Sequence, residues 1–145
     1  MIGRRHFLRL AGVAGTPYLV GASQGKLDHP NVVFILTDDL GYGDIGPYGV
    51  RDIRTPHLNR LAREGVRFTD SYASGAVCTP TRAAFLTGRY QQRAGLEWAI
   101  DPRDDRTGLP ASEPSIARML KGSGYATGLF GKWHLGQRPE FGPKA

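Results

Sequence analysis

The sequence predicts an α/β fold with a mainly parallel sheet flanked by helices. Three observations point there. Residues 31–37 form an unbroken apolar, β-branched run, the pattern of a strand buried on both faces. Two further short segments, 66–72 and 125–130, alternate or run apolar in the same way. Between them lie stretches with helical start and stop signals, and strands alternating with helices predict a parallel sheet.

The elements follow in order. After the first run come Asp38-Asp39 and a glycine-rich loop from Gly41 to Gly49. Thr55-Pro56 is a threonine N-cap with proline at the first helical position. Leu58, Leu61 and Ala62 give that helix one apolar face, and Gly65 ends it. Residues 66–72 read as a second strand. Pro80 is placed to start a helix running through Ala83, Ala84, Phe85 and Leu86 to Gly88. Residues 91–110 are polar and irregular and read as a loop. Ser112 caps a third helix with Ile116, Met119 and Leu120 on its buried face, ended by Gly122 and Gly124. Residues 125–130 read as a third strand, leading into Gly131-Lys132-Trp133-His134.

Composition narrows the class. The chain has 145 residues, 40% apolar and 22% charged, which is globular and of single-domain length. Its formal charge is +6, but Arg4, Arg5 and Arg9 lie in a first segment of 25 residues without an acid. The remainder carries 16 basic against 13 acidic residues, a net +3, too mild and scattered for nucleic acid. One cysteine excludes an intrachain disulfide. Taken alone, it would be read as a small buried hydrophobe.

Residues 1–25 read as an address. A positive start precedes a short apolar, small-residue run, the pattern of a secretory signal. Arg4-Arg5-His6-Phe7-Leu8-Arg9 matches a twin-arginine export motif, which implies the twin-arginine machinery as partner and a periplasmic or secreted protein. Gly12, Gly15 and Pro17 interrupt the run, and it is too short for a stable membrane span. The bland alternative is a basic amphipathic helix.

Polar groups follow three segment ends. In open α/β sheets, ligands bind beyond the carboxyl ends of the strands. Asp38 and Asp39 follow one, Cys78 another, Lys132 and His134 a third. Two adjacent carboxylates are hard oxygen ligands for Ca²⁺ or Mg²⁺, or else an Asp-rich turn capped by amides. Cys78 precedes a helix N-terminus, where amides and the dipole favour an anion. Arg82, four residues on, returns to the same side of the first turn; its alternative is a solvated helix residue. A thiolate nucleophile of the cysteine-phosphatase kind fits poorly, because its loop places the arginine further along with glycines between, and here Pro80 intervenes. Lys132 and His134 alternate along an extended segment and would share a face, able to bind an oxyanion and transfer a proton. In isolation, a surface lysine beside a core histidine explains that pair as well.

Residues 78–88, with the core Cys78-Thr79-Pro80-Thr81-Arg82, resemble the first sulfatase signature. Residues 124–136, containing Gly131-Lys132-Trp133-His134, are similar to the second, and residues 37–44 resemble the family's metal-binding start. Thr81 stands where serine or alanine is more usual. The resemblance implies an alkaline phosphatase-like fold, with residues 26–145 as the N-terminal part of a sulfatase catalytic domain. It implies that a formylglycine-generating enzyme oxidises Cys78 to Cα-formylglycine, whose hydrate attacks sulfur and leaves a covalent sulfate hemiacetal; loss of the second hydroxyl's proton then expels sulfate. Asp38, Asp39 and residue 78 would bind the metal, Ca²⁺ or alternatively Mg²⁺. Arg82 would hold the hydrate, Lys132 would bridge sulfate and hydrate, and His134 would orient or deprotonate the second hydroxyl. The implied substrate is a sulfate ester, an aryl ester or a sulfated carbohydrate. The alternatives are a phosphonate or phosphate monoester hydrolase of the same superfamily, and a catalytically silent fragment. Family members are several hundred residues long, so the expectation is an incomplete domain that is poorly soluble and inactive alone.

Overall fold

The computed structural model describes residues 29–143; residues 1–25, expected to be an export signal, lie outside them. The chain divides into two compact units, Met1–Leu36 and Thr37–Ala145. In the first, described residues 29–36 form no regular element, and Val33 and Ile35 are exposed.

Among its described residues the second unit holds three α-helices: α1 (Pro56–Glu64), α2 (Cys78–Thr87) and α3 (Ile116–Gly122). Helix α1 has the bounds the sequence predicts, with Thr55 at the N-cap and Gly65 at the C-cap. The Thr55 hydroxyl does not cap its own helix. It accepts from Gly46 N at 2.9 Å and donates to Asn59 Oδ1 at 3.1 Å, tying the preceding loop to α1. The expected buried face is absent: Leu58 and Leu61 are exposed.

Helix α2 starts two residues earlier than predicted, with Val77 as N-cap and Cys78 in the first turn. Pro80 lies inside that turn, where its missing N–H would have had no intrahelical acceptor in any case. Gly88, at φ 65°, ends the helix by donating its N–H to Ala84 O at 2.9 Å. Helix α3 is capped by Ser115, not Ser112: the Ser115 hydroxyl accepts from Arg118 N at 3.2 Å. Met119, expected on its buried face, is exposed.

The expected sheet is not formed, since no strand is present among the described residues. Val66, Phe68 and Tyr72 of the second expected strand are exposed, as are Leu129 and Phe130 of the third. The physical reason lies in the ladder: an apolar pleated run becomes a strand only when a neighbour supplies its hydrogen bonds and covers its face.

The core lies elsewhere. Ala83 of α2 packs with Leu96, Ile100, Leu109 and Leu135, and Leu86, Ala94 and Trp133 lie against them. Three of the five buried residues, Leu96, Ile100 and Leu109, come from the 91–110 segment that the sequence marks only as a polar loop. It turns through a short 3-10 element, Gln91–Ala94, and then lays Leu96, Ile100 and Leu109 inward. Leu109 N donates to Leu135 O at 2.8 Å, which fastens this loop beside the 132–135 segment. No helix among the described residues is long and apolar enough to cross a membrane.

Candidate active site

Cys78 opens α2, half-buried, and its surroundings are polar. Lys132 Nζ approaches Cys78 Sγ to 3.1 Å and donates to Asp38 Oδ2 at 2.8 Å. The Cys78 thiol lies 3.6 Å from Asp38 Oδ1. Arg82, one turn along α2, reaches the same carboxylate oxygen with Nη2 at 3.2 Å, while its Nη1 donates to Lys132 O at 2.7 Å. Arg82 is therefore not a solvated helix residue: only 12% of its side chain is exposed, and its stem packs in the fold.

The hydrogen-bonded cluster sets one carboxylate against two cations at the head of a helix. The hydrogen bond from Lys132, and next that from Arg82, holds Asp38 below the usual carboxylate range. The Asp38 carboxylate, followed by the contact with Cys78, pushes Lys132 above its ordinary value. Both charges are thus fixed through neutral pH. With the dipole of α2, they make the position of Sγ a place for an anionic group.

Asp39 has no hydrogen bond or ion pair among the described residues, and its backbone is left-handed at φ 57°. Aspartate tolerates that conformation better than most residues. Its oxygens and those of Asp38 are the donors a hard cation takes. The described residues contain no group of three or more His, Cys, Asp or Glu able to hold a metal ion. This chain's carboxylates thus provide only part of a calcium shell of six to eight oxygens.

His134 departs from the expected geometry. Its backbone is left-handed at φ 53°, which breaks the alternation that would have set it on one face with Lys132. Its ring points to the 91–110 loop, where Nε2 lies 3.0 Å from Ile100 O. A carbonyl only accepts, so Nε2 donates and the neutral ring carries its lone pair on Nδ1. Nδ1 is buried without a partner, as is Arg82 Nε.

Sequence reasoning missed Thr79. It is fully buried, donates from Oγ1 to His134 O at 2.9 Å and accepts from Ile100 N at 3.1 Å. The signal available was its place directly after Cys78, but nothing local shows that a hydroxyl there faces two distant loops. Gly75 is a second such residue: a Cβ there would lie 2.7 Å from Pro80 Cβ, so the approach to α2 needs glycine.

The family model "Sulfatase" matches residues 30–144. The chain is similar to steryl-sulfatase of Mus musculus, 55% identical over 114 residues covering 74% of this chain and 18% of that protein. It is also similar to arylsulfatase A of Bos taurus, 50% identical over 111 residues covering 77% and 22%. Among solved structures it matches Ps i-CgsB in complex with k-i-k-neocarrahexaose, with a TM-score of 0.70, 40% identity, and 73% of this chain and 24% of that one covered. The chain thus spans about a fifth of the length of these curated relatives.

Proposed function

Because the chain belongs to the sulfatase family, we propose that it carries the nucleophile-bearing part of a sulfate ester hydrolase. The family also implies an alkaline phosphatase-like fold and, in general, a formylglycine and a divalent metal. The observation that supports the proposal best is the contact of Lys132 Nζ with both Cys78 Sγ and Asp38, with Arg82 on the same carboxylate.

In this reading Cys78 is converted to formylglycine, which supplies a hydrated aldehyde whose hydroxyl attacks sulfur. The work of this chain's own side chains follows from their positions. Lys132 is a donor at residue 78 and would meet a sulfate oxygen brought there. Arg82 offsets negative charge from the helix side and orients Asp38 by a charge-assisted hydrogen bond. Asp38 and Asp39 would contribute oxygens to the divalent cation, Ca²⁺ or Mg²⁺. His134, with its lone pair on Nδ1, is the base that would take the proton of the second hydroxyl. Aryl sulfates are the assay substrates, and sulfated carbohydrates the natural class. Export by the twin-arginine route to the periplasm or beyond belongs to the same reading and rests on Arg4-Arg5-His6-Phe7-Leu8-Arg9.

The test uses the complete polypeptide produced with a formylglycine-generating enzyme. Peptide mapping should show CHO in place of CH₂SH at residue 78. Aryl sulfate should be turned over in preference to aryl phosphonate, and Cys78→Ala should abolish turnover. Ordinary cysteine in an active preparation, or full turnover by Cys78→Ala, refutes the reading. Preference for the phosphonate would assign the chain to the related ester hydrolases instead.

A further inference from the structure

We propose that Thr79 is a positioning residue whose buried hydroxyl holds the start of α2 and His134 in one frame. This rests on the reading of residue 78 as nucleophile and His134 as its proton acceptor. The hydroxyl donates to His134 O at 2.9 Å and accepts from Ile100 N at 3.1 Å, with Thr79 completely shielded from solvent. The His134 ring returns to the same loop through Nε2 and Ile100 O at 3.0 Å. A closed circuit results: Ile100 N–H to Thr79, Thr79 to the His134 carbonyl, and the His134 ring to the Ile100 carbonyl.

Two features need this circuit. His134 occupies left-handed backbone at φ 53°, a sparsely populated region for a residue with a Cβ, and it persists where surrounding contacts over-determine it. The ring tautomer is fixed because Ile100 O can only accept, which keeps the Nδ1 lone pair free and buried. A hydroxyl can donate to one backbone group and accept from another at once. Valine in its place would fill the volume and leave the Ile100 N–H and the His134 carbonyl without their partner. Thr79 touches no reacting atom; it acts through residue 78, to which it is bonded, and through His134.

The experiment compares Thr79→Val and Thr79→Ser with the parent in the complete polypeptide. Rates are expressed per formylglycine, counted by peptide mass, so that poorer modification of the variant does not enter. Thr79→Val should lower kcat by about tenfold or more with KM within about twofold, the effect of a misplaced catalytic group. Thr79→Ser should restore kcat to within about threefold, since it keeps the hydroxyl. Long-range ¹H–¹⁵N spectra of the His134 ring should show protonated Nε2 and bare Nδ1 in the parent and in Thr79→Ser, and mixed tautomers in Thr79→Val. If Thr79→Val does not fold, Thr79→Ala is read in the same way. A ring spectrum unchanged by loss of the hydroxyl overturns the proposal, whatever the rate. A parent that hydrolyses no sulfate ester defeats the functional reading alone, and the ring spectrum still decides the role of Thr79.

Discussion

Lys132 and Asp38 meet at 2.8 Å although 94 residues separate them in the chain. The pair is held from a third side by Arg82, whose two terminal nitrogens reach the Asp38 carboxylate and the Lys132 carbonyl. One arginine of α2 therefore fixes both the side chain of one partner and the backbone of the other. Cys78 lies within this arrangement, and its immediate electrostatics are set by residues from three separate segments.

The pH dependence of the pair has a definite sign. Asp38 is lowered by Lys132 and Arg82, so its stabilising contribution is present above the unfolded carboxylate pKa and is lost as pH falls through the folded value. Lys132 is raised, so its contribution is present below the unfolded lysine pKa and is lost as pH rises through the folded value. The stability difference between the parent and Asp38→Asn should therefore be flat from about pH 5 to about pH 9 and shrink below about pH 4. Denaturant titrations across that range check it; a difference that varies steeply near neutrality would contradict it.

Metal affinity should depend on Asp38 more than folding does. Asp38→Ala removes one carboxylate from a partly exposed site, and Ca²⁺ affinity of the complete polypeptide should fall by about tenfold or more. Calorimetric titration with Ca²⁺ measures this. An unchanged dissociation constant would take Asp38 out of the metal site.

Leu135 is fully buried in the core beside Ile100 and Leu109. Leu135→Ala should destabilise the protein by about 2–5 kcal/mol, the combined loss of transfer energy and packing. Chemical denaturation gives the value, and a loss under about 1 kcal/mol would mean that the site collapses around the smaller side chain.

Gly75 meets Pro80 so closely that an added Cβ would lie 2.7 Å from Pro80 Cβ and 2.9 Å from its Cγ. The proline ring is rigid and anchored in α2, so the strain falls on the 75–78 approach. Gly75→Ala should cost about 1–3 kcal/mol and lower the melting temperature by several degrees. An unaltered thermal transition would show that this approach adjusts freely.

The bounds of helix α1 were legible because their signals are local: Pro56 and Gly65 act within a turn of the ends they set, whereas the apolar face expected to be buried is exposed. Helix α2 was legible except for its first two residues, since Pro80 is compatible with any position in the first turn. The α3 cap was misplaced because Ser112 and Ser115 are equivalent locally, and only the hydroxyl's contact with Arg118 N selects Ser115. Asp38, Cys78, Arg82 and Lys132 were named from the sequence and lie together. Asp39 was named with them but has no hydrogen bond or ion pair among the described residues, and the inward turn of the His134 ring agrees with the core-histidine alternative rather than with a face shared with Lys132.

The sequence by itself determined the helix signals, the single thiol and the order of the charged groups around it, because chain chemistry and short-range spacing suffice for those. Tertiary structure alone decided that Leu96, Ile100 and Leu109 form the core and that the apolar runs at 66–72 and 125–130 form no strand. It also decided that Thr79 faces two loops at once. Each of these depends on contacts between residues far apart in the chain, and a hydrogen bond or an apolar contact leaves no periodic trace when its partner comes from another segment.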